Sequence, residues 1–156
     1  MLYLDSSALM KLVREEHETV TLGEWLNARP DQAVVTSELG RIEVLRAARR
    51  VGGQVQTEAR AVVGDLDLVP LDRAVQALAC EIAHPLLRTL DALHLASAVL
   101  LGEELTAFVA YDHQIAAAAA AAAAAWSSTR LAAESDGRHA AAMISERRER
   151  LPCRIP

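Results

Sequence analysis

A parallel β-sheet with helices packed on both faces is the fold class that the sequence predicts, on three observations. Short apolar runs recur along the chain, and most are closely followed by an acid or a capping residue. Longer stretches with helical spacing separate them. Serine, aspartate and glycine stand where those helices should start or stop. Strands that alternate with helices in this way build parallel sheets rather than hairpins.

Residues 1–5 form an apolar run ending in an acid, a buried first strand with Asp5 at its carboxyl end. Ser6 and Ser7 are placed to cap a helix over Ala8 to Val13. A second helix through Val20 to Leu26 ends before Pro30, and Ala33 to Thr36 makes a second strand. Ser37 caps a helix from Glu38 to about Val51, which Gly52 and Gly53 stop, and another helix crosses Thr57 to Val63. Asp67 to Leu71 reads as a third strand. Pro70 has no N–H to donate, which argues for a sheet edge or a strand end. Asp72 caps a helix through Ala74 to Ala79 that ends near His84 and Pro85, and a strongly apolar helix runs from about Leu90 to Leu101. Leu105 to Tyr111 is the fourth strand, ended by Asp112. Residues 116–125 are all alanine, a tract with high helix propensity and little shape. Beyond Trp126 the periodicity decays. The organisation expected is one domain over residues 1–129 and a C-terminal tail over 130–156.

A chain of 156 residues is long enough to close one hydrophobic core. No apolar run makes a convincing bilayer span, and the apolar opening meets Asp5 at once, unlike a signal peptide. A cytoplasmic protein with no membrane partner is expected. Cys80 and Cys153 lack metal-ligand spacing, and Cys80 reads as a small core residue. The net charge of −5 has the wrong sign for binding nucleic acid by bulk electrostatics. An acidic nuclease fits if metal ions neutralise its carboxylates and arginines gather beside them. Arg41, Arg46, Arg49 and Arg50 offer such a cluster.

Ligands of an open parallel sheet collect at the carboxyl ends of its strands, where Asp5 and Asp112 are placed. If the first and fourth strands are neighbours, these acids share one crevice. Glu43 lies early in the helix after the second strand, and Asp91 starts the helix before the fourth. Four converging acids without a neutralising partner raise one another's pKa, so such a set normally holds a hard cation. Magnesium and manganese favour oxygen ligands, and the histidine and cysteine clusters that would suggest zinc are absent from the sequence. Cations of this kind assist phosphodiester hydrolysis without a covalent nucleophile on the protein.

The opening LYLDSSAL, the helix SELGRIEV from Ser37, the segment LDALHLA from Leu90 and the strand end VAYD closing at Asp112 together resemble the four motifs of PIN-domain toxins of the VapC type. One acid after an apolar run is common; four motifs in order across residues 1 to about 115 are specific. The resemblance implies a three-layer α/β/α fold with a central parallel sheet. It also implies a magnesium- or manganese-dependent endoribonuclease acting as the toxin of a type II toxin–antitoxin pair, a VapB-like antitoxin and a homodimer. Its acids fall on Asp5, Glu43, Asp91 and Asp112, all expected to be catalytic and metal-binding, with Ser7 as the hydroxyl near the first. Arg41 and Arg46 are candidates for RNA contact.

Ordinary roles exist for each residue. Asp91 and Asp112 suit helix starts, Ser7 suits a cap, Glu43 suits a pair with Arg46, and His94 suits a satisfied packing residue. Glu38 and Asp72 are set aside as helix-start acids. A receiver-type phosphorylation domain needs a lysine after a late strand, whereas Lys11 is the sole lysine. A dinucleotide enzyme needs a glycine-rich turn where Asp5-Ser6-Ser7 stands. A dehalogenase-like phosphatase wants an aspartate where Ser7 is. The remaining alternative is a PIN-like scaffold that binds RNA or protein without cutting.

Overall fold

Alternation along the central strands decides the layering. In the computed structural model, which describes residues 1–82, 87–125, 131–133 and 142–144, β1 (Leu2–Leu4) is fully buried on both sides. Leu2 and Leu4 face one core, together with Ala107 and Val109 of β4 (Ala107–Ala110). Tyr3 faces the other, with Phe108 and Ala110 and with Val35 of β2 (Val34–Ser37). A strand with two apolar faces needs helices on both, and the chain supplies them. The first core is filled from α1 (Ser6–Val13), α2 (Thr19–Asn27), α3 (Glu38–Val51) and α4 (Gly53–Gly64) by residues such as Leu9, Leu22, Val44 and Val63. The second is filled from α6 (Thr89–Leu100) and α7 (His113–Ala125) by Leu95, Ala98, Ile115, Ala118 and Ala119. This is the α/β/α sandwich expected.

The sheet order is β3-β2-β1-β4-β6-β5. β1, β2, β3 (Asp67–Val69) and β4 are parallel, with Tyr3 opposite both Val35 and Phe108. The chain first steps outward from β1 to β2 to β3, then returns through α5 (Arg73–Glu81) and α6 to lay β4 on the far side of β1. The switch of direction therefore falls between β1 and β4. β3 takes the edge position that Pro70 indicated.

Local chemistry sets the element ends. Ser37 caps α3 by accepting from the Gly40 N–H at 3.1 Å, and Gly52 stops it at φ 78°, a left-handed value that suits glycine. Asp72 caps α5 by accepting from Ala74 and Val75. Three expectations are corrected. Asp5, not Ser6 or Ser7, caps α1: it keeps extended backbone and accepts from the Ala8 N–H at 2.8 Å, so both serines are helical. α4 starts at Gly53, directly after the stop, rather than at Thr57. Cys80 is exposed, because α5 turns its Val75 side inward and Cys80 falls on the opposite side. The expected tail contributes β5 (Leu131–Ala133) and β6 (Ala142–Ile144), with β6 antiparallel to β4 and β5 antiparallel to β6. Residues 126–130 and Cys153 lie outside the described residues. Among the described residues no helix is long and apolar enough to cross a membrane.

Among the described glycines, only Gly40 lacks room for a side chain. A Cβ there would stand 2.3 Å from Thr36 Oγ1 and 3.2 Å from His94 Cε1. Thr36 cannot retreat freely, since its hydroxyl donates to the Leu4 carbonyl at 2.7 Å. Gly40→Ala is expected to destabilise the fold by about 1–3 kcal/mol despite alanine's better helix propensity, as overpacking does. Urea unfolding of Gly40→Ala and of Gly40→Ala/Thr36→Ala checks this. The second change should recover part of the loss; equal stability of wild type and Gly40→Ala would show that the helix can shift at no cost.

Candidate active site

The switch point between β1 and β4 is where an open parallel sheet forms a crevice, and Asp5 stands in it. Its backbone N–H still donates to the Val109 carbonyl, so the side chain leaves the sheet from the last bonded position of β1. The carboxyl is almost fully buried at 3% exposure. Oδ1 accepts from the Ala8 N–H at 2.8 Å and from the Ser7 hydroxyl at 2.7 Å. Burial outweighs these bonds and pushes the carboxyl up to about 6. Ser7 Oγ in turn accepts from the Tyr111 N–H at 2.7 Å. One hydroxyl thus staples the end of β1 to the end of β4 and sets Asp112 next to the crevice. Asp112 itself is exposed and accepts from the Gln114 N–H at 2.7 Å, starting α7.

The other two acids arrive on helices from opposite layers. Glu43, half-buried on α3, bonds His94 Nε2 at 2.9 Å. That hydrogen bond, with the Ser6 hydroxyl beside it, holds the Glu43 carboxyl below its ordinary value. His94 is buried on α6, and its Nδ1 bonds the Tyr3 hydroxyl at 2.8 Å. Asp91 lies three residues before His94, on the same side of α6, and accepts from the Arg88 N–H at 3.2 Å. The partner of Glu43 is therefore His94 and not Arg46. The histidine is satisfied packing, as its apolar helix indicated, and it also touches a candidate ligand. Tyr3 went unremarked in the sequence because it hides inside an apolar strand.

Of the arginines, Arg46 and Arg50 fall on the Glu43 side of α3. Arg41, two residues before Glu43, lies about 200° around the helix. All three are exposed. The lone lysine is engaged elsewhere: Lys11 Nζ bonds Glu16 and Glu18, and it lies 5.4 Å from the Tyr111 ring centroid. Glu38 accepts from the Leu71 N–H at 3.0 Å and ties the start of α3 to the segment after β3.

The acids surround one end of the sheet, yet among the described residues no three of them are gathered into a ready metal cage. Each ends instead in its own hydrogen bond. A hard cation such as magnesium does not require a full cage, since it typically keeps several waters and takes one or two carboxylates. An all-oxygen donor set that includes a buried carboxylate with no cationic side chain hydrogen-bonded to it fits such an ion.

The model of the PIN domain family matches residues 2–121. The chain belongs to the PIN-domain family. Its relatives include two from Mycobacterium tuberculosis named as VapC ribonucleases. Ribonuclease VapC47 (strain CDC 1551 / Oshkosh) is 48% identical over 118 residues, covering 74% of this chain and 87% of that protein. Ribonuclease VapC35 (the same strain) is 39% identical over 117 residues, with the same coverage. The crystal structure of Mycobacterium tuberculosis VapC20, described as a toxin that cleaves the sarcin-ricin loop, superposes with a TM-score of 0.61. That likeness, at 18% identity over 76% of this chain and 95% of the other, concerns the fold. The PIN match encloses Asp5, Glu43, Asp91 and Asp112, together with Ser7, which bonds Asp5, and His94, which bonds Glu43. β5 and β6 lie beyond it.

The buried Asp5 gives the PIN domain a distinctive pH response. Its folded pKa lies above the ordinary value, so the folded state holds this proton more tightly than the unfolded chain does. The stabilisation is full below about pH 4 and is lost as pH rises through about 6. A shift of this size corresponds to roughly 2–3 kcal/mol. In metal-free buffer, Asp5→Asn should match the wild-type melting temperature near pH 4 and exceed it by a margin that grows up to about pH 6.5 and then levels off. Parallel melting curves across that range would refute the assignment of a buried ionising carboxyl.

Proposed function

We propose that this PIN-domain protein is an endoribonuclease of the VapC type, hydrolysing RNA phosphodiester bonds with the help of magnesium or manganese, as the toxin of a toxin–antitoxin pair. The observation that carries the reading is a buried carboxylate, Asp5, set at the β1/β4 switch point, with Asp112 two residues beyond the end of β4, in a chain 48% identical over 118 residues to a protein named as a ribonuclease. Glu43 and Asp91 complete the acidic rim. A VapB-like antitoxin, a homodimer and a cytoplasmic setting belong to the same proposal and follow from the kinship with VapC proteins.

Asp5, Glu43, Asp91 and Asp112 are the residues proposed to hold the cation, with Asp5 at the centre. A bound divalent ion would supply neutralising charge for the acids and for the scissile phosphate. The protein's own residues do the rest. The Ser7 hydroxyl and the Ala8 N–H both fix the Asp5 carboxylate through its Oδ1. Arg46, exposed on the Glu43 side of α3, is placed to meet the RNA backbone. Arg41 is a poorer candidate, being turned away. Phosphate contacts of this type position RNA but carry no sequence information, so target choice rests on other surfaces.

Purified, antitoxin-free protein incubated with total RNA tests the proposal. Cleavage is expected with magnesium or manganese, to stop with EDTA, and to fall at least about 100-fold in Asp5→Asn; mapping 5′ ends would reveal the target. RNA left intact across a broad substrate set by folded, metal-supplemented protein would favour a scaffold that binds without cutting.

A further inference from the structure

The sequence places a tyrosine, a histidine and a glutamate far apart, and the fold joins them in a line. Tyr3 OH meets His94 Nδ1 at 2.8 Å, and His94 Nε2 meets Glu43 at 2.9 Å. The line crosses the sheet from the second core to a helix of the first. We infer that His94 is a positioning residue, which aims the Glu43 carboxylate at the cation site and is itself held in one tautomer by Tyr3. The inference rests on the ribonuclease reading, with Glu43 at the metal.

Three observations carry it. First, a neutral imidazole satisfies every donor and acceptor of the line. Tyr3 is buried, packs its ring flat on Phe108 at 5.4 Å between centroids, and burial keeps its phenol protonated. Ser37 accepts from the Gly40 N–H, so its own proton is free to donate to the phenol oxygen. The phenol then donates to Nδ1, the ring proton resides on Nε2, and Nε2–H donates to the carboxylate, which has no proton of its own to give. Second, room for this arrangement is built in. A side chain at Gly40 would stand 3.2 Å from the imidazole, so the glycine one turn before Glu43 is what lets the ring lie against α3. Third, a carboxylate with no more than a helix-surface role has no need of a buried donor from the opposite layer, whereas a ligand must be held still. Partners that orient ligands in this way typically change metal affinity 10–100-fold when removed.

Two amides separate positioning from packing. Glutamine places its amide nitrogen where Nε2 was, so His94→Gln keeps the donor to Glu43. Asparagine places its amide oxygen where Nδ1 was, able to accept from the Tyr3 phenol, so His94→Asn keeps only the Tyr3 side. Binding of Mn²⁺ alone, measured by calorimetry on the full chain, is expected to stay within about 3-fold of wild type in His94→Gln and to weaken about 10–100-fold in His94→Asn. Tyr3→Phe, which releases only the anchor, should weaken it a few-fold while the protein still melts cooperatively. Should His94→Asn fail to fold, Tyr3→Phe carries the test. Equal Mn²⁺ affinity in the two amide variants, or an unchanged value in Tyr3→Phe, would overturn the inference. Glu43→Gln tells the two failures apart. Loss of Mn²⁺ there alongside wild-type binding in His94→Asn leaves the metal reading standing and removes only the role of His94; wild-type binding in Glu43→Gln removes both.

Discussion

Asp5 must do two things that pull against each other. It caps α1, which places the carboxylate at a helix N-terminus and satisfies one amide, and it lies almost wholly out of water, which penalises its charge. Burial wins, and the carboxyl rises to about 6. A group held this way is poorly stable as a bare anion at neutral pH and gains from any cation that approaches. The Ser7 hydroxyl links this carboxylate to the Tyr111 amide, so the strain of the buried charge and the alignment of β1 with β4 depend on the same few atoms. Removing the acid would relieve the fold and remove the site together, a common exchange between stability and function.

The topology brings the other candidate carboxylates to the same end of the sheet. Parallel order with a switch between β1 and β4 forces the helices after β2 and before β4 into opposite layers. Glu43 and Asp91 therefore approach the same end from the two faces. Contact between the layers at that end runs through Glu43 and His94, and the small residue at Gly40 makes the close approach possible. The acids remain tied to local hydrogen-bond partners and do not form a closed cage among the described residues. An open, water-accessible arrangement of this sort suits a magnesium-type ion, which gives up its waters reluctantly.

Much of this was legible from the residues. Apolar runs ending in Asp5 and Asp112 located two strand ends, and the capping residues Ser37 and Asp72 fixed two helix starts within a residue. Pro70, which argued for an edge or a strand end, directly follows β3, and β3 is an edge strand. What escaped notice depends on contacts between distant segments. The bond between His94 and Glu43 spans 51 positions, and that between Tyr3 and His94 spans 91, beyond any periodicity. Asp5 as the cap of α1 was missed because two serines follow it, and serine is as good a cap as aspartate. Cys80 was misplaced because α5 buries a narrow face, and residue type alone does not say which side of a helix packs. β5 and β6 have three residues each, too short to show an alternation.

The central claim is that the Asp5 carboxylate, at the junction of β1 and β4, holds a divalent cation. Diffraction from crystals soaked in manganese, collected near the manganese absorption edge, would locate the ion directly. The account predicts an anomalous peak about 2.1 Å from an Asp5 carboxylate oxygen, the bonding distance of such small hard cations. A peak only at sites remote from Asp5, in protein that still cleaves RNA with manganese, would contradict it.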